Sequence, residues 1–304
     1  MDTETILFLD SSQVNCSDYT KLSEEHFQAI DVYVKTVYCL QEIHQLFQIF
    51  RYNFNLLHSL YTLWGNGRIT PLNPNETIES QYISINAHII NIISSGHAID
   101  EAMQRYLRPE VDLLNDSSVQ SDFSDYRSAV FESSFSYRLL DGLRNYAQHG
   151  HLLISSKNGL FGFNLIRILN TLHFSHKKPY ETELRTVIEE TFQTLHNVPM
   201  QSLTTGLAEY VVHLLSLYVH FWKCIKTDLF EKVENVKHVI AQCKKNLLNI
   251  PNPDLFLYNC IDSRKDIISV KDVERTEEVF YDIYYEAITT CEECTHSYKE
   301  LFSH

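Results

Sequence analysis

Apolar residues recur in alternating steps of three and four over two long stretches, and no other feature limits the possible fold as strongly. In the first stretch the stripe runs through Leu40, Ile43, Phe47, Phe50, Phe54, Leu57, Tyr61 and Trp64. In the second it runs through Ile78, Tyr82, Ile85, Ile89, Ile92, Gly96, Ile99, Met103 and Tyr106. This spacing keeps each stripe on one face of a helix. Gly65, Gly67, Pro71 and Pro74 lie between the two, and Pro109 follows the second. Two matched stripes joined by a turn region predict a long antiparallel helical hairpin over about residues 24–107.

The polar run at about 110–121 reads as a loop. A third helix is predicted over about 123–149, with Gly150 placed to stop it. The pattern then changes. Leu152-Leu-Ile-Ser-Ser, Lys157-Asn158-Gly159 and Leu160-Phe-Gly-Phe-Asn-Leu-Ile166 read as a β-hairpin over about 151–168, because Asn-Gly favours the turn that hairpins need. Helical spacing returns over about 181–197, 205–225, 227–249 and 273–302. Between the last two, Leu255 to Ile261 and Ile267 to Val270 read as a second short β pair. The fold class is therefore all-α, a helical bundle with a long antiparallel hairpin and one or two small β-hairpin insertions. No linker stands out, so residues 1–304 read as a single domain, with a division near residue 180 as the alternative.

Composition narrows the function. With 8 Gly and 7 Pro in 304 residues, turns are too scarce for a many-stranded β-sandwich or a glycine-rich nucleotide fold. The net charge of −14, from 25 basic and 39 acidic residues, argues against a general coat for nucleic acid while leaving room for a local basic pocket. Seven scattered cysteines do not form a disulfide framework. The N-terminus has neither the basic region nor the apolar run of a signal peptide. The most apolar window, Leu207 to Ile225, carries Glu209, His213, His220 and Lys223 and reads as a buried helix, not a membrane span. A cytoplasmic protein with no membrane partner is the expectation.

Cys291-Glu-Glu-Cys294-Thr-His296 invites a zinc reading. Both cysteines, however, lie on the apolar stripe of Phe280, Tyr284, Ala287, Tyr298 and Leu301, and His296 sits about 200° around the helix from Cys294. The spacing favours core packing. His44, His58, His88, His97, His213 and His220 sit singly in helical patterns and read as structural. The acid-rich end over 272–300 reads as a solvated face. Phosphate-loop, hydrolase-elbow and metalloprotease motifs are absent from the sequence.

One segment concentrates chemistry on an apolar helix: Tyr137-Arg-Leu-Leu-Asp-Gly-Leu-Arg144-Asn145-Tyr146-Ala147-Gln148-His149-Gly150. Arg144 falls on the stripe of Tyr137, Leu140 and Ala147, so it faces inward, which is costly unless an anion or a hydrogen-bond network receives it. Asn145 lies about 100° further round and His149 about 40° beyond Asn145. Two readings stand. One is a structural network, with Arg144 paired to a buried acid and His149 capping the helix; the other is a catalytic site made of Arg144, Asn145 and His149.

The run Arg144-Asn145-Tyr-Ala-Gln-His149 resembles the R-x4-6-H motif of the HEPN superfamily, in its R-N-x-x-x-H form. The resemblance covers directly some 15–30 residues and leaves the rest of the chain unexplained. What it implies is a helical domain and a metal-independent endoribonuclease, without cofactor, that leaves 2′,3′-cyclic phosphate and 5′-OH ends. RNA, including tRNA, is the implied substrate. A toxin or phage-defence role follows, with a homodimer sharing a composite site and an antitoxin or regulatory partner. In that chemistry His149 moves the proton, Arg144 stabilises the phosphorane charge, and Asn145 orients His149 or holds a phosphate oxygen. Some HEPN toxins carry a Tyr two residues after the His; here His151 stands there, so AMPylation control does not carry over. His151 reads as a second proton donor or as a first-strand residue without a role. The alternatives are a catalytically inactive HEPN-like adaptor, antitoxin or sensor, and a coiled-coil scaffold built on residues 24–107.

Overall fold

A computed structural model describes residues 5–9, 20–21, 23–64, 68–108, 111, 113–114, 118–157, 160–173, 179–194, 200–246, 255–259 and 270–302. The architecture is all-α with small antiparallel β insertions. The helices are α1 (Glu24–Leu60), α2 (Ile78–Tyr106), α3 (Ser118–Ser133), α4 (Phe135–Gln148), α5 (Leu165–His173), α6 (Pro179–Thr194), α7 (Leu203–Asn246) and α8 (Val270–Phe302). The strands are β1 (Thr5–Leu9), β2 (Thr20–Lys21), β3 (Tyr61–Leu63), β4 (Ile69–Pro71), β5 (Ile154–Lys157), β6 (Leu160–Asn164), β7 (Met200–Ser202) and β8 (Leu255–Asn259). Short polar side chains start many of the helices. Ser23, Thr77, Asn164 and Ser202 each accept a hydrogen bond from the backbone N–H three residues on, at 3.2, 3.2, 2.9 and 3.4 Å, the geometry of an N-cap.

Several elements differ from the sequence expectation. The helix expected over 123–149 is two helices, α3 and α4, because Ser134 adopts extended backbone (φ −116°, ψ 111°) and caps α4 through Tyr137 N. The break expected near residue 226 does not occur; α7 runs through it unbroken. Residues 165–168 open α5 and are not strand. Leu255–Asn259 is a strand, but it pairs with Thr5–Leu9, with Leu257 opposite Leu7. Ile267 to Ser269, its expected partner, lie outside the described residues, and Val270 opens α8. The hairpin at 154–164 forms as expected, with Lys157 opposite Leu160 and Ile154 opposite Phe163. Asn158-Gly159 of its turn lies outside the described residues.

The chain divides into two compact units, neither of them contiguous. The first comprises Met1–Glu42, Tyr106–Val119 and Trp222–Glu286; the second comprises Ile43–Arg105, Gln120–Phe221 and Ala287–His304. Residue 180 lies inside the second. In the first, β2-β1-β8 form a sheet, and Trp222, Phe230 and Phe280 pack edge to face at 5.2–5.7 Å. Tyr33 Oη lies 2.5 Å from Thr276 Oγ1. Lys232 and Asp228 form a buried ion pair on one face of α7.

In the second unit, α1 from Ile43 and α2 are joined through the β3–β4 hairpin, where Tyr61 lies opposite Pro71. The expected stripes are buried: Ile43, Phe47, Phe50 and Leu57 on α1, and Ile85, Ile89, Ile92 and Ile99 on α2. The exceptions are at the stripe ends, Trp64 at 51% and Ile78 at 75% exposed, with Phe54 and Tyr82 half-buried. The β5-β6-β7 sheet is fastened to α2 by two polar side chains. Asn86 Oδ1 accepts from Ile154 N at 3.1 Å, and Tyr82 Oη donates to Ile154 O at 2.9 Å. That fastening holds the chain leaving α4.

Candidate active site

Helix α4 carries Arg144, Asn145 and, at its end, His149, and its placement begins at Ser134. The Ser134 hydroxyl donates to Glu209 Oε1 of α7 at 3.0 Å, and Ser136 Oγ donates to Glu209 Oε2 at 2.6 Å. One turn on, Tyr137 stacks on Tyr210 of α7, ring centroids 5.2 Å apart. Burial pushes both phenols well above their usual 10, so they pack as neutral groups. On another side, Gly142 lets α6 approach: a Cβ there would meet Leu184 Cδ1 at 3.0 Å. Leu139, Leu140, Leu143 and Tyr146 are buried.

The helix is not apolar all round. Asp141, Arg144, Asn145 and Ala147 are half-buried, and Gln148 and His149 are exposed. Exposure rises toward the C-terminus, because the last turn runs out of the packing that encloses Tyr137 and Leu140. Arg144 therefore does not face the core as its stripe suggested. Among the described residues it forms no salt bridge either. Its Nη1 donates to Asn145 Oδ1 at 3.0 Å. With the Gln148 amide oxygen turned toward it, Nε and Nη2 donate there at 3.1 and 3.3 Å. Two amides of its own helix aim the guanidinium without neutralising it. Asn145 thus orients Arg144, and its oxygen is not turned to His149.

His149 occupies the C-cap of α4, with φ −89° and ψ 15°. Gly150 follows at φ +87°, and its N–H donates to Ala147 O at 2.9 Å; the positive φ is why glycine stops the helix here. His151 is not in a strand. Its ring stacks on buried Tyr146, centroids 4.4 Å apart.

The structure adds a residue that sequence reasoning missed. His97, on α2, puts Nδ1 2.7 Å from Asp141 Oδ1 and Nε2 3.1 Å from Glu101 Oε1. The Asp141 hydrogen bond raises the His97 pKa above its usual 6.5 against the opposing effect of burial, and Arg144 is close enough to push it back down. The other histidines read as structural differ. Burial lowers His58, His88 and His213; His44 meets Tyr218 Oη at 3.3 Å, and His220 stacks on Tyr126 at 3.9 Å. Gly96 lets α2 approach α7, since a Cβ there would lie 2.4 Å from Tyr210 Oη. Beneath this cluster, Asp100 receives Arg127 through Nε at 2.9 Å and Nη2 at 2.7 Å, and Gln104 Nε2 at 2.9 Å.

The end of α4 thus gathers a guanidinium held by two amides and an exposed imidazole, while His97 and Asp141 meet about two turns earlier on the helix. That set can bind an anion and move protons. Elsewhere, Cys291 is half-buried and His296 exposed, and the Cys294 side chain lies outside the described residues. Among the described residues no group of three or more His, Cys, Asp or Glu is placed to hold a metal. No described helix is long and apolar enough to cross a membrane. Comparison with family models, with curated proteins and with solved structures finds no match to the chain.

Proposed function

We propose that the end of α4 is the active site of a metal-independent, HEPN-type endoribonuclease that cuts RNA, tRNA among its targets, as a toxin or anti-phage effector. One observation carries the reading: Arg144 is aimed by the amide oxygens of Asn145 and Gln148 and, among the described residues, forms no salt bridge. A guanidinium held by neutral acceptors is ready for a phosphate. In this reading Arg144 binds the scissile phosphate and stabilises the charge that builds on it. Asn145 Nδ2 donates to a phosphate oxygen. His149, exposed at the helix end, takes the proton from the ribose 2′-OH. The net charge of −14 restricts the substrate to RNA that this local site can hold, because long-range attraction is missing. A second copy of the chain supplies the facing motif of a composite site, and an antitoxin or regulatory protein restrains the enzyme.

The second reading, a non-catalytic adaptor or sensor, draws on His149 being the C-cap of α4, a role that needs no substrate. Induced expression in bacterial cells separates the two. Wild type should arrest growth with fragmented RNA, and Arg144→Ala should restore growth. Equal growth with intact RNA under both would favour the adaptor.

A further inference from the structure

We propose that the groove between α1 and α8 is a binding site for a small monocarboxylate with an apolar tail, its charge met by Arg275. The groove lies wholly within the unit that does not hold α4, so this inference and the nuclease reading stand or fall separately. Side chains within 33–41 of α1 and 275–283 of α8 line it, together with Trp222 of α7. Its volume is about 340 Å³, in the range of small-molecule sites.

The charge of the groove is opposite to that of the chain. The sequence carries a net charge of −14, yet Arg275 is the only charged residue in the lining. Among the described residues Arg275 forms no salt bridge. Its neighbour Glu277 is already met by Lys237 Nζ at 3.4 Å. Beside Arg275, Thr276 Oγ1 lies 2.5 Å from Tyr33 Oη, which joins the two walls at their first residues. The guanidinium therefore stands at one end of the groove, over a fixed polar pair. A carboxylate placed there meets a planar fork of donors. One cation matches one negative charge, so a monoanion fits better than a phosphate.

Away from that end the walls are apolar. Phe280 meets buried Trp222 edge to face, centroids 5.7 Å apart. Val37, Leu40 and Ile283 extend the same surface. Val279 in the lining is 44% exposed, so apolar surface faces water that a bound tail would cover. An acid head over Arg275 and a hydrocarbon tail along α8 satisfy both halves of the groove at once.

The test uses the full chain carrying Trp64→Phe. The sequence has two tryptophans, so Trp222, in the groove wall, becomes the fluorescent reporter. Sodium octanoate is the probe and 1-octanol the uncharged control, both below the concentration at which they aggregate. Thermal unfolding of each variant is followed alongside. Octanoate should change the tryptophan emission in a saturable way and bind more tightly than octanol. Arg275→Glu, at an exposed position, should leave unfolding unchanged, weaken octanoate by roughly tenfold or more, and spare octanol. Val279→Phe should weaken both by filling the groove from its rim. No saturable change with octanoate would overturn the proposal. So would octanoate binding that is unmoved by Arg275→Glu in a folded protein.

Discussion

His97 Nδ1 lies 2.7 Å from Asp141 Oδ1, and this one bond ties α2 to the turn of α4 that precedes Arg144. It joins the two helices through residues 44 apart in the chain. It also makes stability depend on pH. The His97 pKa is raised in the folded state, chiefly by that hydrogen bond. The stabilisation is therefore fully present below the unfolded value of 6.5 and is lost as pH rises through the higher folded value. Denaturation between pH 6 and 9 should show wild type losing more stability than Asp141→Asn. Parallel curves would mean that the contact does not stabilise the imidazolium.

Gly96→Ala should destabilise the protein. The new methyl would sit 2.4 Å from Tyr210 Oη and 2.9 Å from Leu214 Cδ2, both on buried side chains of α7. A rigid ring cannot yield as a flexible chain end does. Overpacking of this kind costs about 1–3 kcal/mol, read as a lower denaturation midpoint. A neutral or stabilised variant would show that α2 and α7 are not held so closely.

Arg127→Met should cost more. It strips the guanidinium from Asp100, which is only 2% exposed and would be left as a buried, unpaired carboxylate. Breaking such a pair from one side costs about 3–5 kcal/mol. The double variant Asp100→Leu/Arg127→Met should recover most of it, because the stranded charge is gone. Chemical denaturation of the three proteins checks this; a double variant as weak as the single would contradict it.

Ser134→Ala removes the cap of α4 and its tie to Glu209. The loss should be about 1–2 kcal/mol. Hydrogen exchange should rise first at the start of α4, and uniform exchange across the helix would contradict the capping role.

What the sequence made legible follows from how local each signal is. The stripes through Phe47 and Ile89 are repeated many times within one element, and their helices formed, although α1 stops at Leu60 and the stripe's last members, Tyr61 and Trp64, lie in and just after β3. Asn158-Gly159 marked its hairpin by the same local logic. The break at Ser134 was missed because no Gly or Pro stands there; the signal was the cap itself, a serine three residues before Tyr137. The β1–β8 pairing was missed because Leu7 and Leu257 are brought together only by the fold. Arg144, Asn145 and His149 were visible as a run on one helix. His97 was not, since a single histidine inside a helical stripe looks the same whether it meets a carboxylate or an apolar wall. The inward arginine was also misjudged, because a stripe says which face is apolar and not where along the helix the packing ends.

The central claim is that this chain cuts RNA through His149 and Arg144 without a metal. The most direct test incubates wild type and His149→Ala with total tRNA and a long RNA in EDTA, followed by a denaturing gel and end-group analysis. The account predicts fragments ending in 2′,3′-cyclic phosphate and 5′-OH from wild type and none from the variant. Undiminished cleavage by His149→Ala, or intact RNA with both proteins, would contradict it.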